Sequence, residues 1–163
     1  MRLEINQLED VLKDYRYYFK DKVVYFKSKD DSNDAFATYF TDNFKFLGLK
    51  QLRSSYEEKG INYQWIFNGE QLEDEKRPDL SKSRTFIIDD PDEPLMKSDV
   101  VVTIAPIDLT VSFIDALIEM DIPFIVVVEE IRLRANKIIN YINGKAIKII
   151  TNEAHENVWL TNI

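Results

Sequence analysis

The chain has 163 residues, no cysteine and a formal charge of −8. Without cysteine it forms no disulfide, no thiolate metal site, no iron–sulfur cluster and no cysteine nucleophile. The length fits one domain with a real core, no apolar run approaches the ~20 residues of a membrane span, and the opening MRLEINQLED lacks the apolar segment of a secretory leader.

Taken in chain order, Asn6 is placed to cap a first helix, with Glu9 three residues on. Leu8, Val11, Leu12, Tyr15, Tyr18 and Phe19 follow at helical spacing. Residues 23–27, VVYFK, predict a strand. Asp34 is placed to cap a helix over 35–47 that Gly48 stops, with an aromatic surface of Phe36, Tyr39, Phe40, Phe44 and Phe46. A third helix is expected over 49–59, ending at Gly60. Residues 61–67 alternate as a strand does, Asn68-Gly69 signals a turn, and the polar stretch 70–84 has no period. Strands are then expected at 85–88, 99–105, 123–128 and 146–150, with helices joining the later ones. Trp159 and Leu160 suggest that the tail docks on the body.

Short Ile- and Val-rich runs alternating with amphipathic stretches predict an α/β fold: a single Rossmann-like three-layer sandwich over residues 1–163 with a mainly parallel sheet. Such sheets bind ligands at the carboxyl ends of their strands. The candidate ligand-binding residues are therefore Asp89, Asp90, Pro106, Asp108, Thr110 and Glu129. Asp89 and Asp90 open an acidic Pro-rich turn, whose plainer reading is solvated surface. Pro106, Asp108 and Thr110 lie at a strand–helix junction, where helix capping competes with anion binding by free amides. Glu129 and Glu130 close the next strand and could serve as a general acid or a metal site, whereas the plainer reading is that Glu130 starts the following helix.

Other patterns exclude themselves. Asp30, Ser32 and Asp34 open like a calcium loop, but Ala35 and Thr41 stand where it needs glycine and glutamate. His155 is the only histidine, so no histidine-based triad can be drawn. Residues 85–163 carry 6 Lys or Arg against 13 Asp or Glu, which argues against a nucleic-acid partner, since phosphate binding needs clustered cations.

The run Ile88-Asp89-Asp90-Pro91-Asp92-Glu93-Pro94-Leu95, then Ser98–Val101, Pro106–Thr110 and Ile125–Val128, resembles an uncharacterised archaeal family loosely labelled thymidylate-synthase-like. The resemblance covers about a quarter of the chain, and members carry cysteines absent here. The segments 111–117 and 122–126 also resemble the nucleotide-binding half of two-domain glycosyltransferases. Together these readings lead to a cytoplasmic domain binding a small molecule, a nucleotide or related metabolite, with its cofactor unidentified. The alternatives are a divalent-metal enzyme using the strand-end carboxylates, or a non-catalytic subunit. No nucleic acid and no membrane is expected as partner; a homo-oligomer or protein partner stays open.

Overall fold

The structure is a computed structural model that describes residues 3–27, 34–70, 84–150 and 157–163. The chain divides into two compact units, Met1–Asp99 and Val100–Ile163.

In the first unit, four strands lie in the order β4-β3-β2-β1. β1 (Val23–Lys27) pairs parallel with β2 (Gln51–Glu58). β2 pairs antiparallel with β3 (Ile61–Phe67), and β3 antiparallel with β4 (Arg84–Ile88). β1, β2 and β4 therefore run the same way. The segment expected as a third helix is β2. In QLRSSYEE the buried residues include Leu52, Ser54 and Ser55, flanked on both sides by paired strands. A stretch that bonds to two neighbours gains more from the ladder than from its weak helical propensity. Gly60, expected to stop a helix, instead turns the β2–β3 hairpin at φ +77°.

α1 (Ile5–Leu12) begins two residues earlier than expected: the Glu4 N–H donates to Gln7 Oε1 at 2.9 Å, and Asn6 lies inside the helix. Leu8, Val11 and Leu12 are its buried face. The Asp34 cap is present, its carboxylate accepting from the Phe36 N–H at 2.8 Å. The helix it starts breaks at Asn43 into α2 (Ala35–Asp42) and α3 (Phe44–Leu47), and Gly48 ends the second at φ +67°. Phe36, Tyr39, Phe40 and Phe44 are buried, and only Phe46 of this aromatic surface is exposed. The ring of Phe40 sits edge-on to Phe19 at 5.6 Å and nearly parallel to Phe26 at 6.5 Å. These rings are core, which removes the aromatic helix as a contact surface.

In the second unit the order is β5-β6-β8-β7. β5 (Val100–Ile104) and β6 (Phe124–Glu129) are parallel, joined by α5 (Thr110–Glu119). β8 (Asn157–Thr161) is antiparallel to both β6 and β7 (Lys148–Ile150). Val100, Val101 and Val102 are buried, as are Phe124–Val128, so both strands are covered on each face. The tail does dock: Trp159 and Leu160 are core, and it contributes a strand that the polar tail sequence did not announce. The expected helix 131–142 is a 3₁₀ turn, Glu130–Arg134, followed by α6 (Asn136–Asn143). The α/β class stands. The sheet is mixed rather than mainly parallel, because antiparallel strands flank each parallel pair.

Candidate functional site at the strand ends

Each unit has one parallel strand pair with its own carboxyl ends. In the first unit, Asp89 and Asp90 are exposed just after β4, the strand at the end of the order. Asp90 Oδ1 accepts from the Asp92 N–H at 2.9 Å, the bond of a local Asx turn. The turn leads into α4 (Glu93–Met96), which packs against β1 and β2 with Pro94 and Leu95 buried. Beneath it, the Tyr25 hydroxyl and Ser55 Oγ are 2.7 Å apart. Burial pushes the Tyr25 phenol up to about 12, partly offset by the Ser55 hydrogen bond. The carboxyl end of β2 presents Tyr56, stacked on Tyr63 of β3 at 5.2 Å, and then the exposed Glu57 and Glu58. The spacing argument missed this group because it assigned β2 to a helix. The loop after β1, with Asp30 and Ser32, lies outside the described residues, as does His155.

In the second unit, Ile104 is in register with Val127, so the ends of β5 and β6 are side by side. This brings Pro106 and Glu129 to one edge. Asp108 is exposed in the 3₁₀ turn Ile107–Leu109. Neither Asp108 nor Thr110 caps α5, which has no side-chain cap. The buried Thr110 hydroxyl donates back to Pro106 O at 2.9 Å and also approaches Ile107 O at 3.3 Å. Its role is to fasten the junction. Glu129 is half-buried, 3.8 Å from Arg132 Nε. Ile107, Leu109 and Ile131 are exposed on the same loops. The edge is thus an apolar rim with a single half-buried carboxylate on β6. Among the described residues no three His, Cys, Asp or Glu side chains gather to hold a metal ion. No helix among them is long and apolar enough to cross a membrane.

A second polar cluster joins the two longer helices of this unit. Asp115 on α5 accepts from both Lys137 and Tyr141 on α6. The Lys137 and Tyr141 hydrogen bonds hold the Asp115 carboxyl below the usual range, and the Asp115 bond raises both partners. It is a tie between helices.

An α/β chain with parallel strand pairs offers, at their carboxyl ends, the edges where such folds bind ligands. The model of the family described as adenine-specific methyltransferase EcoRI matches residues 3–158, and the chain belongs to that family. It is 30% identical over 138 residues to the type II methyltransferase M.MgeORF184P of Mycoplasma genitalium, covering 84% of this chain and 43% of the relative. It is 31% identical over 156 residues to the type II methyltransferase M.EcoRI of Escherichia coli, covering 86% of this chain and 48% of the relative. The chain spans about half the length of these relatives. No solved structure matches it.

Membership corrects three expectations. The likeness to the archaeal thymidylate-synthase-like family rested on short strand-end phrases that many α/β chains share, and it gives way to a match over nearly the whole chain. The metabolite-binding and non-catalytic readings give way to a methyltransferase family. The exclusion of a nucleic-acid partner is overturned as well, by membership in an adenine-specific methyltransferase family. That exclusion took net charge as the measure. A chain can read a base without itself neutralising the phosphates around it.

Proposed function

We propose that this chain carries the methyl-transfer core of an adenine-specific DNA methyltransferase, working in the cytoplasm with S-adenosylmethionine as donor. The observation that supports the reading is the family match over residues 3–158. The single-domain, Rossmann-like, three-layer arrangement of residues 1–163 belongs to the same proposal; limited proteolysis that yields residues 1–99 and 100–163 as separately folded pieces would count against it.

The residues present suit such a donor. A carboxylate at the end of the second strand of a nucleotide-binding α/β fold takes ribose hydroxyls, and Glu57 and Glu58 are exposed there beside the stacked Tyr56–Tyr63 pair. The donor supplies an electrophilic methyl group on sulfur. Asp89 and Asp90 would line the rim of the same unit. In the second unit, Pro106 and Ile107 offer a flat apolar seat to a base turned out of its stack, as enzymes that modify bases require. Thr110 holds that seat by its bonds to Pro106 O and Ile107 O. Asp108 would face the solvent side, and Glu129 would accept a proton from the adenine amine as its nitrogen takes up the methyl group.

The test is transfer of labelled methyl from S-adenosylmethionine to adenine-containing duplex DNA, with donor binding followed by equilibrium dialysis. Transfer is expected, and Glu129→Gln should slow it by on the order of 100-fold, the range of a lost proton acceptor, while donor binding stays within about twofold. A chain that neither binds the donor nor transfers methyl would overturn the reading.

A further inference from the structure

One arginine at the carboxyl edge of the second unit has its donors unused. Arg132 lies in the 3₁₀ turn Glu130–Arg134 that follows β6. Its Nε–H is buried and has no hydrogen-bond partner. Among the described residues the other N–H groups of its guanidinium make no hydrogen bond either. Native proteins rarely leave a buried donor without an acceptor, and such a group asks for an explanation. Glu129 does not supply one. Its Oε2 stands 3.8 Å from Arg132 Nε, within the range of charge attraction and beyond that of a hydrogen bond. Both side chains are more than a third exposed, so the pair adds little to stability. The carboxylate keeps the guanidinium near the end of β6 and leaves its N–H groups open.

The surroundings indicate what those groups receive. A guanidinium is planar and always charged, and its fork of donors matches two oxygens of one phosphate. Asp108, Glu129 and Glu130 make the loops after β5 and β6 acidic, and in the segments 105–110 and 129–135 Arg132 and Arg134 are the cations. A base seated on Pro106 and Ile107 arrives with its own backbone phosphate. Ile104 and Val127 are in register on strands roughly 4.8 Å apart, so the end of β6 is the position next to that seat. A phosphate there is repelled by Glu129 unless a cation offsets the charge. Among the described residues Arg132 is the cation within ion-pair distance of Glu129. We propose that Arg132 binds the backbone phosphate beside the target adenine, through the N–H groups that the fold leaves without an acceptor. The proposal rests on the methyl-transfer reading for its ligand and adds to it a residue that fixes the target strand.

The test follows binding of the 163-residue chain to an adenine-containing duplex by fluorescence anisotropy as salt is raised, with S-adenosylmethionine binding measured in parallel. Arg132→Gln should weaken duplex binding about tenfold and lower the slope of log affinity against log salt by about 0.9, the release expected for one phosphate. Arg132→Lys keeps the charge and should restore the slope without the full affinity, because an ammonium lacks the fork. Arg134→Gln removes the same charge from the same turn and should move the slope by less than about 0.3. Donor affinity should be unchanged in all three variants. A fall in donor affinity with an unmoved slope overturns the proposal by assigning the open fork to the donor's carboxylate. Weaker duplex binding at an unmoved slope overturns it by showing a structural role, and an equal loss of slope in Arg134→Gln by showing an effect of net charge. A wild-type chain that binds no duplex overturns it too. Methyl transfer that persists while the slope of Arg132→Gln matches wild type removes this proposal alone. A slope that moves as expected, in a chain that transfers no methyl, supports the phosphate contact and removes the methyl-transfer reading.

Discussion

Gly69 shows how a single residue is fixed by its neighbours. It sits at φ +81°, and a Cβ there would lie 2.1 Å from the Phe44 ring. Gly69→Ala must displace an aromatic side chain stacked edge-on against Phe67 and also strain the backbone. Loss of roughly 2–4 kcal/mol is expected by urea denaturation, in the range of overpacking and backbone strain together. Tyr25 supplies a pH signature. Its folded pKa stands near 12 against 10.0 in the open chain. The fold holds the phenolic proton more tightly, so this contribution is complete below pH 10 and is lost as pH rises from 10 toward 12. Tyr25→Phe should flatten that alkaline fall in stability, read from denaturation curves at pH 9, 10 and 11. A steeper fall in the variant would show that the Tyr25 hydroxyl is not the titrating group.

At the scale of elements, the Asp115–Lys137–Tyr141 tie is the side-chain link that joins α5 to α6. Asp115 has a depressed pKa, so its contribution is present above the open-chain value near 3.8 and is lost as pH falls below it. Asp115→Asn should speed amide exchange in α6 at neutral pH and leave the buried β6 unchanged. Equal acceleration in both would mean that the tie supports the whole unit. The legibility of elements followed how local their causes are. Asp34 and Gly48 bound their helices by backbone rules written in single residues, and both ends were readable. The strands β5 and β6 were readable because burial on both faces forces runs such as Val100-Val101-Val102. β2 was not. Its sequence alternates weakly, and what makes it a strand is β1 on one side and β3 on the other. The error carried into the site, because Tyr56, Glu57 and Glu58 reach a strand end only once β2 is a strand. Pro106 and Glu129 come to one edge because the α5 crossover sets β5 and β6 in parallel register. Thr110 was misjudged as a cap because the choice between donating backward and accepting forward is a matter of one rotamer.

For the whole molecule, charge separates two tasks that DNA-acting proteins combine. A net −8 offers little to a phosphate backbone, so any affinity of this chain for duplex DNA should vary weakly with salt, with a slope far shallower than the value near −0.9 per phosphate contact expected of a basic groove. Filter binding between 50 and 200 mM salt measures it, and a steep slope would reveal a cationic surface that composition hides. The order β5-β6-β8-β7 adds a constraint in time. β8 follows β7 in the chain yet lies between β7 and β6. β7 leaves the ribosome before the strand that must separate it from β6 exists. Thr161 donates to the Phe124 carbonyl, and Asn162 accepts from the Phe124 N–H while donating to Ile122 O, so residues made late lock a strand made about forty positions earlier. Until they emerge, β6 has one rim bare, and the nascent second unit is expected to be open to chaperones and proteases.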